Sequence, residues 1–250
     1  LEQVFSTQLA NLASSFPSLA TPVTNRTHCL VWSDWFSQVQ VEANNGVRFD
    51  HNYYYYPGSW IADRPGMFTG SGWPMRFADT DGTMTDVYQA TTQMTDESGQ
   101  TYPTTIDSLL DRAIGPEGYY GVFSANMHTD FGDHTDSDAI VASAQARGVP
   151  IVSARQMLEW LDGRNGSSFG NIAFSGNVLS FGIDVGVHAN GLRGLLPTTT
   201  PFGTLTGIQR NGAAIPHTVE TLKGVKYAVF AAEAGSYAAA YGIDATPPVI

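Results

Sequence analysis

The chain has 250 residues, long enough to bury a full core and to divide into two domains, and its 42% apolar content excludes a disordered polymer. Charged residues make up only 14%, the net charge is −11, and the two lysines are Lys223 and Lys226. A nucleic-acid groove and an anionic membrane surface both need clustered Lys and Arg, so neither is an expected partner, whereas a neutral or cationic substrate fits.

Residues 1–16 place Phe5, Leu9, Leu12 and Phe16 at helical spacing, and Pro17 ends the run. HCLVW (28–32) reads as a short buried strand that holds Cys29 as a small apolar residue; a single cysteine excludes an internal disulfide and a Cys-based zinc cluster. Ser33-Asp34 can cap a helix through Ala43, with Gly46 as its left-handed C-terminal residue. VRFD (47–50) is a strand, followed by the tyrosine run YYYY (53–56) and a Gly/Pro-rich loop (57–74) that carries Trp60 and Trp73. MRFAD (75–79) and MTDVYQATT (84–92) read as strands about a DG turn. A helix (104–114), a strand (119–127), a helix (137–148), the strand VPIV (149–152) and a helix (154–163) complete this part.

Alternating strands and helices predict an α/β domain with a largely parallel sheet over residues 1–165. From Phe169 onward the pattern changes to short alternating strands separated by GN, NG and KG pairs, which predicts an antiparallel β-sandwich over 169–243. Residues 244–250 (DATPPVI) read as an extended linker to a further module. The charge changes at the same place: the acids of residues 1–169 account for the whole net charge, and residues 170–250 are neutral. No apolar run approaches the roughly 20 residues needed to cross a bilayer. Sparse charge with abundant Gly, Ser and Thr suggests a secreted or surface protein. The opening inside a helical pattern and the terminal Pro pair suggest an excerpt of a longer chain.

In a parallel α/β sheet the reactive groups gather beyond the carboxyl ends of the strands. The residues in those places are Asp34, Asp50 and His51, Asp79 and Asp81, and then His128, Asp130, Asp133 and His134 in HTDFGDHTD (128–136). Carboxylates and imidazoles are the groups that ligate metals or move protons near neutral pH. Asp34 also reads as a helix cap, Asp79 and Asp81 as turn formers beside Gly82, and Asp136 as the cap of the next helix. His128, Asp130 and His134 are candidate metal ligands, without HExxH or EF-hand spacing. In an extended run Tyr54 and Tyr56 share one face; with Trp60 and Trp73 they form a candidate platform for stacking a sugar ring.

The order NRTHCLVWSDW, VRFDHNYYYYPGSW, SANMHTD and ASAQARGVPIVSARQMLEWLDGR resembles the C-terminal half of the polysaccharide deacetylase (NodB-homology, carbohydrate esterase 4-like) domain. The resemblance covers about two-thirds of the chain. It implies a partial or distorted (β/α) barrel and a metal-assisted removal of N- or O-acetyl groups from a polysaccharide. By position it implies Arg26 as the motif arginine that orients a catalytic carboxylate, Asp50 in the polar-aromatic motif, and His128 as general acid. A divalent metal, zinc or similar, is implied as cofactor; the family's Asp-Asp and His-x-x-x-His motifs have no counterpart here and would precede Leu1. The β part resembles small accessory sandwiches of bacterial secreted carbohydrate enzymes. Two other readings stand beside this one: a glycoside hydrolase using two rim carboxylates, and a non-catalytic glycan-binding or adhesin module.

Overall fold

The computed structural model describes residues 1–27, 34–52, 72–97, 99–116, 121–130 and 132–242. The expected strand HCLVW, Tyr54, Tyr56, Trp60 and the linker 244–250 lie outside the described residues. Two compact units divide the chain, Leu1–Leu158 and Glu159–Ile250. No helix among the described residues is long and apolar enough to cross a membrane.

The first unit opens with α1 (Glu2–Ser15), whose apolar side chains are at best half-buried. The Glu2 carboxylate ties its start to α2 (Ser37–Asn44) by accepting from Asn45 Nδ2 at 2.7 Å and Asn44 Nδ2 at 3.1 Å. Asp34 acts as a cap for α2: its Oδ1 accepts the backbone N–H groups of Phe36 and Ser37 at 2.9 and 2.7 Å. Gly46, at φ 76°, takes the left-handed conformation just past the helix end.

Three parallel strands stand side by side: β1 (Thr24–Asn25), β2 (Phe49–Asp50) and β4 (Met84–Gln89), with β3 (Met75–Ala78) antiparallel on the far side of β4. The run read as one strand over 84–92 breaks at Ala90; a further strand, β5 (Thr92–Thr95), pairs in parallel with β6 (Ser124–Asn126). All four residues of β5 are buried. Val39, Val47, Phe49, Val87 and Ala90 are almost fully buried around the first sheet.

The helix read at 104–114 forms as α3 (Thr104–Ile114), which buries Ile106, Leu109 and Leu110 at i, i+3 and i+4 spacing. They pack with Met94 of β5 and Ala144 of α4 (Thr135–Ala146) in one cluster. Arg147, just past α4, bonds Asp107 and Asp111 of α3, both at 2.8 Å, which fixes the two helices side by side. Fully burying a leucine such as Leu109 contributes about 1.5–3 kcal/mol relative to leaving it in water.

The expected partial or distorted (β/α) barrel is not what the chain forms. Among the described residues the strands fall into a four-stranded and a two-stranded sheet, β3 runs antiparallel at the edge, and no barrel closes. Residues 149–152, read as the strand VPIV, join no ladder; Ile151 and Val152 are more than half exposed. An apolar run becomes a core strand only where a neighbouring strand offers its hydrogen-bonding edge, and none among the described residues pairs with it.

The second unit begins inside α5 (Ala154–Asn165), earlier than the composition step at 165–170. Its strands are β7 (Ser168–Ser175), β8 (Val178–Asp184), β9 (Arg193–Pro197), β10 (Thr199–Thr200), β11 (Gly203–Arg210), β12 (Ala213–Ile215), β13 (Thr218–Leu222), β14 (Val225–Ala231) and β15 (Gly235–Gly242). They make two antiparallel sheets. One runs β10-β11-β15-β8-β7 with β12 paired to β11, the other β13-β14-β9. Phe181 and Ile183 of β8, Ile208 of β11, Ala228 and Phe230 of β14, and Tyr237, Ala239 and Tyr241 of β15 form one core between them. Phe181 and Tyr237 stack at 5.1 Å. Three hairpins turn on the GN, NG and KG pairs: Gly176-Asn177, Asn211-Gly212 and Lys223-Gly224 all have φ between 49° and 84°. Both central residues left-handed is the type I′ geometry, which matches the strand twist.

Candidate functional site

β5 and β6 run in parallel with Thr95 opposite Asn126, so the residues that follow them emerge together. Those residues are Asp96 and His128. Asp96 Oδ2 accepts the His128 backbone N–H at 2.7 Å, and Oδ1 lies 2.8 Å from the imidazole Nδ1. On the far side of the ring, Nε2 lies 3.6 Å from Glu97 Oε1. A carboxylate on Nδ1 fixes the orientation of the ring and places Nε2 as the proton-exchanging atom.

The electrostatics follow the geometry. The hydrogen bond to Asp96 raises the His128 pKa above its ordinary value; desolvation opposes this, and the nearby charges of Asp96, Glu97 and Asp130 add to the rise. Burial works to raise Asp96, but the side-chain and backbone hydrogen bonds from His128 prevail and hold it below the usual carboxylate range. The pair opens on a cavity of about 240 Å³ lined by Asp96, Met127 and His128 and, at the start of α4, residues from Asp133 to Ser137. Asp133, rather than Asp136, caps α4 by accepting the Thr135 N–H at 2.9 Å. His134 shares the cavity wall with His128. Asp130 is exposed beside it. Among the described residues, no group of three His, Cys, Asp or Glu side chains, His128, Asp130 and His134 included, converges to hold a metal ion.

Asp50 sits elsewhere. It is fully buried, and the register sets Asn25, Asp50 and Gln89 in a row across β1, β2 and β4. Its carboxylate accepts the Asn52 backbone N–H at 2.5 Å and Asn52 Nδ2 at 2.8 Å. It also shares a hydrogen bond with Glu42 of α2, which is fully buried as well. Alternate strand residues face opposite sides, so Asp50 and Asn52 face α2 while Phe49 and His51 face away. Phe49 and His51 meet edge to face at 4.7 Å. Burial pushes the His51 pKa down to about 4, which leaves the ring neutral.

Among the described residues, the three read as catalytic hold separate partners: Asp50 is bound to Asn52 and Arg26 to Thr27, while His128 is bound to Asp96. Arg26 is half-buried; its Nη1 reaches Thr27 O at 3.5 Å, and its buried Nε has no partner among the described residues. Trp73 is half-buried just before β3 and does not line the His128 cavity. Asp79 and Asp81 take turn roles, accepting the N–H groups of Thr80 and Thr83 at 2.6 and 2.8 Å. Glu42 and Asp50 touch, so they cannot flank a glycosidic bond, which needs roughly 5 Å or more between carboxyls.

Asp96 and Glu42 were missed in the sequence. Ending the strand at Thr92 hid Asp96, although TDESGQ (95–100) is a dense polar run directly after the buried TQMT. For Glu42 the signal was a polar pair, Gln38 and Glu42, at i, i+4 on the buried face of α2. No family model, no curated protein and no solved structure matches the chain.

Proposed function

We propose that the chain serves a secreted or surface hydrolase that removes acyl groups, acetyl above all, from a polysaccharide, with His128 as its proton carrier. The observation that carries this reading is the Asp96–His128 pair at adjacent parallel-strand ends, opening on a cavity. An imidazole held through Nδ1 by a carboxylate can take a proton from an attacking water at Nε2 and return it to the leaving amine or alcohol. Asp96 stabilises the imidazolium that forms between these steps. The likeness of SANMHTD to the histidine motif of the polysaccharide deacetylases supports acetyl removal over other acyl transfers. That likeness also brings a divalent metal, which would polarise the carbonyl; the described residues do not supply three ligands for it.

Acetate release from acetylated chitin and xylan oligomers by the intact protein tests the proposal. Replacing His128 with Ala is expected to lower the rate about 10²–10⁴-fold, the usual worth of a general acid or base. Acetate release by His128→Ala at the unaltered rate would refute the role of His128, and no release by the wild type would refute the reaction class.

A further inference from the structure

Glu42 and Asp50 are two fully buried carboxyl groups in contact, and the bonds around them are asymmetric. Glu42 Oε1 faces three N–H donors: Asn25 Nδ2 at 2.8 Å, Gln38 Nε2 at 3.2 Å and Asn52 Nδ2 at 3.4 Å. Glu42 Oε2 faces none among the described residues. Asp50 accepts from Asn52 through both of its oxygens.

Among the described residues no cation pairs with either acid. Arg26, which follows β1, directs Nη1 to Thr27 O and makes no ion pair with either acid. His51, just past β2, is a titratable neighbour, and it lies on the opposite face, kept neutral by burial. From β4 the row contributes Gln89, which is uncharged. Two ionised carboxylates are strongly disfavoured at contact distance in a buried site, so one of them holds a proton. The bonding pattern assigns it: both Asp50 oxygens accept an N–H, whereas Glu42 Oε2 has no donor among the described residues and is the oxygen left to carry the proton.

We propose that Glu42 and Asp50 form a one-proton latch, with Glu42 Oε2 donating to Asp50, that clamps α2 against the carboxyl ends of β1 and β2 and is released when that proton is removed at alkaline pH. Asn25, Gln38 and Asn52 hold the latch in register, since each donates to Glu42 Oε1. Burial first, and then the charge of Asp50, push Glu42 up to about 9, and burial raises Asp50 as well. The folded chain therefore keeps a proton that the unfolded chain gives up at its ordinary value of 4.5. The stabilising contribution of the protonated latch is complete below pH 4.5 and is lost as pH rises through about 9.

Infrared spectroscopy of the intact chain at pH 7, in H₂O and D₂O, tests this directly. One protonated carboxylic-acid carbonyl band is expected, vanishing with a midpoint near pH 9. Glu42→Gln keeps the acceptor oxygen and replaces the donated O–H with an N–H. It should lack the band, and its melting temperature should fall less than that of the wild type between pH 7 and 10. Absence of an acid band in the wild type at pH 7 would overturn the proposal, as would an unchanged band in Glu42→Gln. The wild-type titration decides the matter even if the variant fails to fold. Activity of the His128 site plays no part in it, so the two proposals fail independently.

Discussion

Asp96 grips His128 twice, accepting its backbone N–H at 2.7 Å with one carboxylate oxygen and facing its Nδ1 at 2.8 Å with the other. The ring cannot turn without breaking the second bond, and the loop cannot drift without breaking the first. Asp96→Asn keeps the shape and removes the charge. The His128 titration, followed by NMR, should fall back toward 6.5, and acetate release should drop with it. The raised imidazole contributes stability that is present below pH 6.5 and is lost as pH rises through its folded value. The lowered carboxylate contributes stability that is present above pH 3.8 and is lost as pH falls through its own folded value. The variant should therefore differ most from the wild type in stability between about pH 4 and 6.5.

Leu109 lies at the centre of the α3 cluster with no exposed surface. Leu109→Ala removes buried apolar volume and leaves a cavity against Met94 and Ala144, so a loss of about 2–5 kcal/mol is expected in denaturant unfolding.

Gly163 of α5 approaches backbone on the loop before β9 so closely that a Cβ would lie 2.2 Å from Val187 O, and Gly186 meets Gly163 O in the same way at 2.3 Å. Gly163→Ala must push the helix and loop apart. A cost of about 1–3 kcal/mol is expected from such overpacking, read as a lowered melting temperature, even though alanine favours helix.

The Tyr237 hydroxyl accepts the Glu233 N–H at 3.0 Å and donates to Glu233 O at 2.7 Å, which pins the bend between β14 and β15. Tyr237→Phe keeps the stacking on Phe181 and loses both bonds. A loss of about 1 kcal/mol is expected, with the core fluorescence and near-ultraviolet signals retained.

What could be read from the sequence was local. α3 matched its spacing because Ile106, Leu109 and Leu110 are apolar at one-turn intervals and no other element was needed to explain them. The hairpins were legible because Asn-Gly and Lys-Gly choose a turn by backbone sterics alone. β5 was not: Thr92, Gln93, Met94 and Thr95 are buried on both faces, which erases the alternation that marks a strand. VPIV failed in the opposite sense, looking like a core strand and lying exposed in part. The site divided along the same line. His128 stood out as an imidazole after a strand, whereas Asp96 and Glu42 acquire their meaning from partners 32 and 8 residues away that only the fold supplies.

β15 lies between β8 and β11 in the larger sheet of the second unit and pairs with both. The two-residue hairpins let β7 and β8 zip together as soon as both exist, and likewise β11 with β12 and β13 with β14. None of these pairs can complete the sheet, because the strand that joins β8 to β11 is made last. On a ribosome, the edges of β8 and β11 wait bare until Gly242 clears the exit, and release of the nascent chain before that point leaves two open strand edges instead of a finished core.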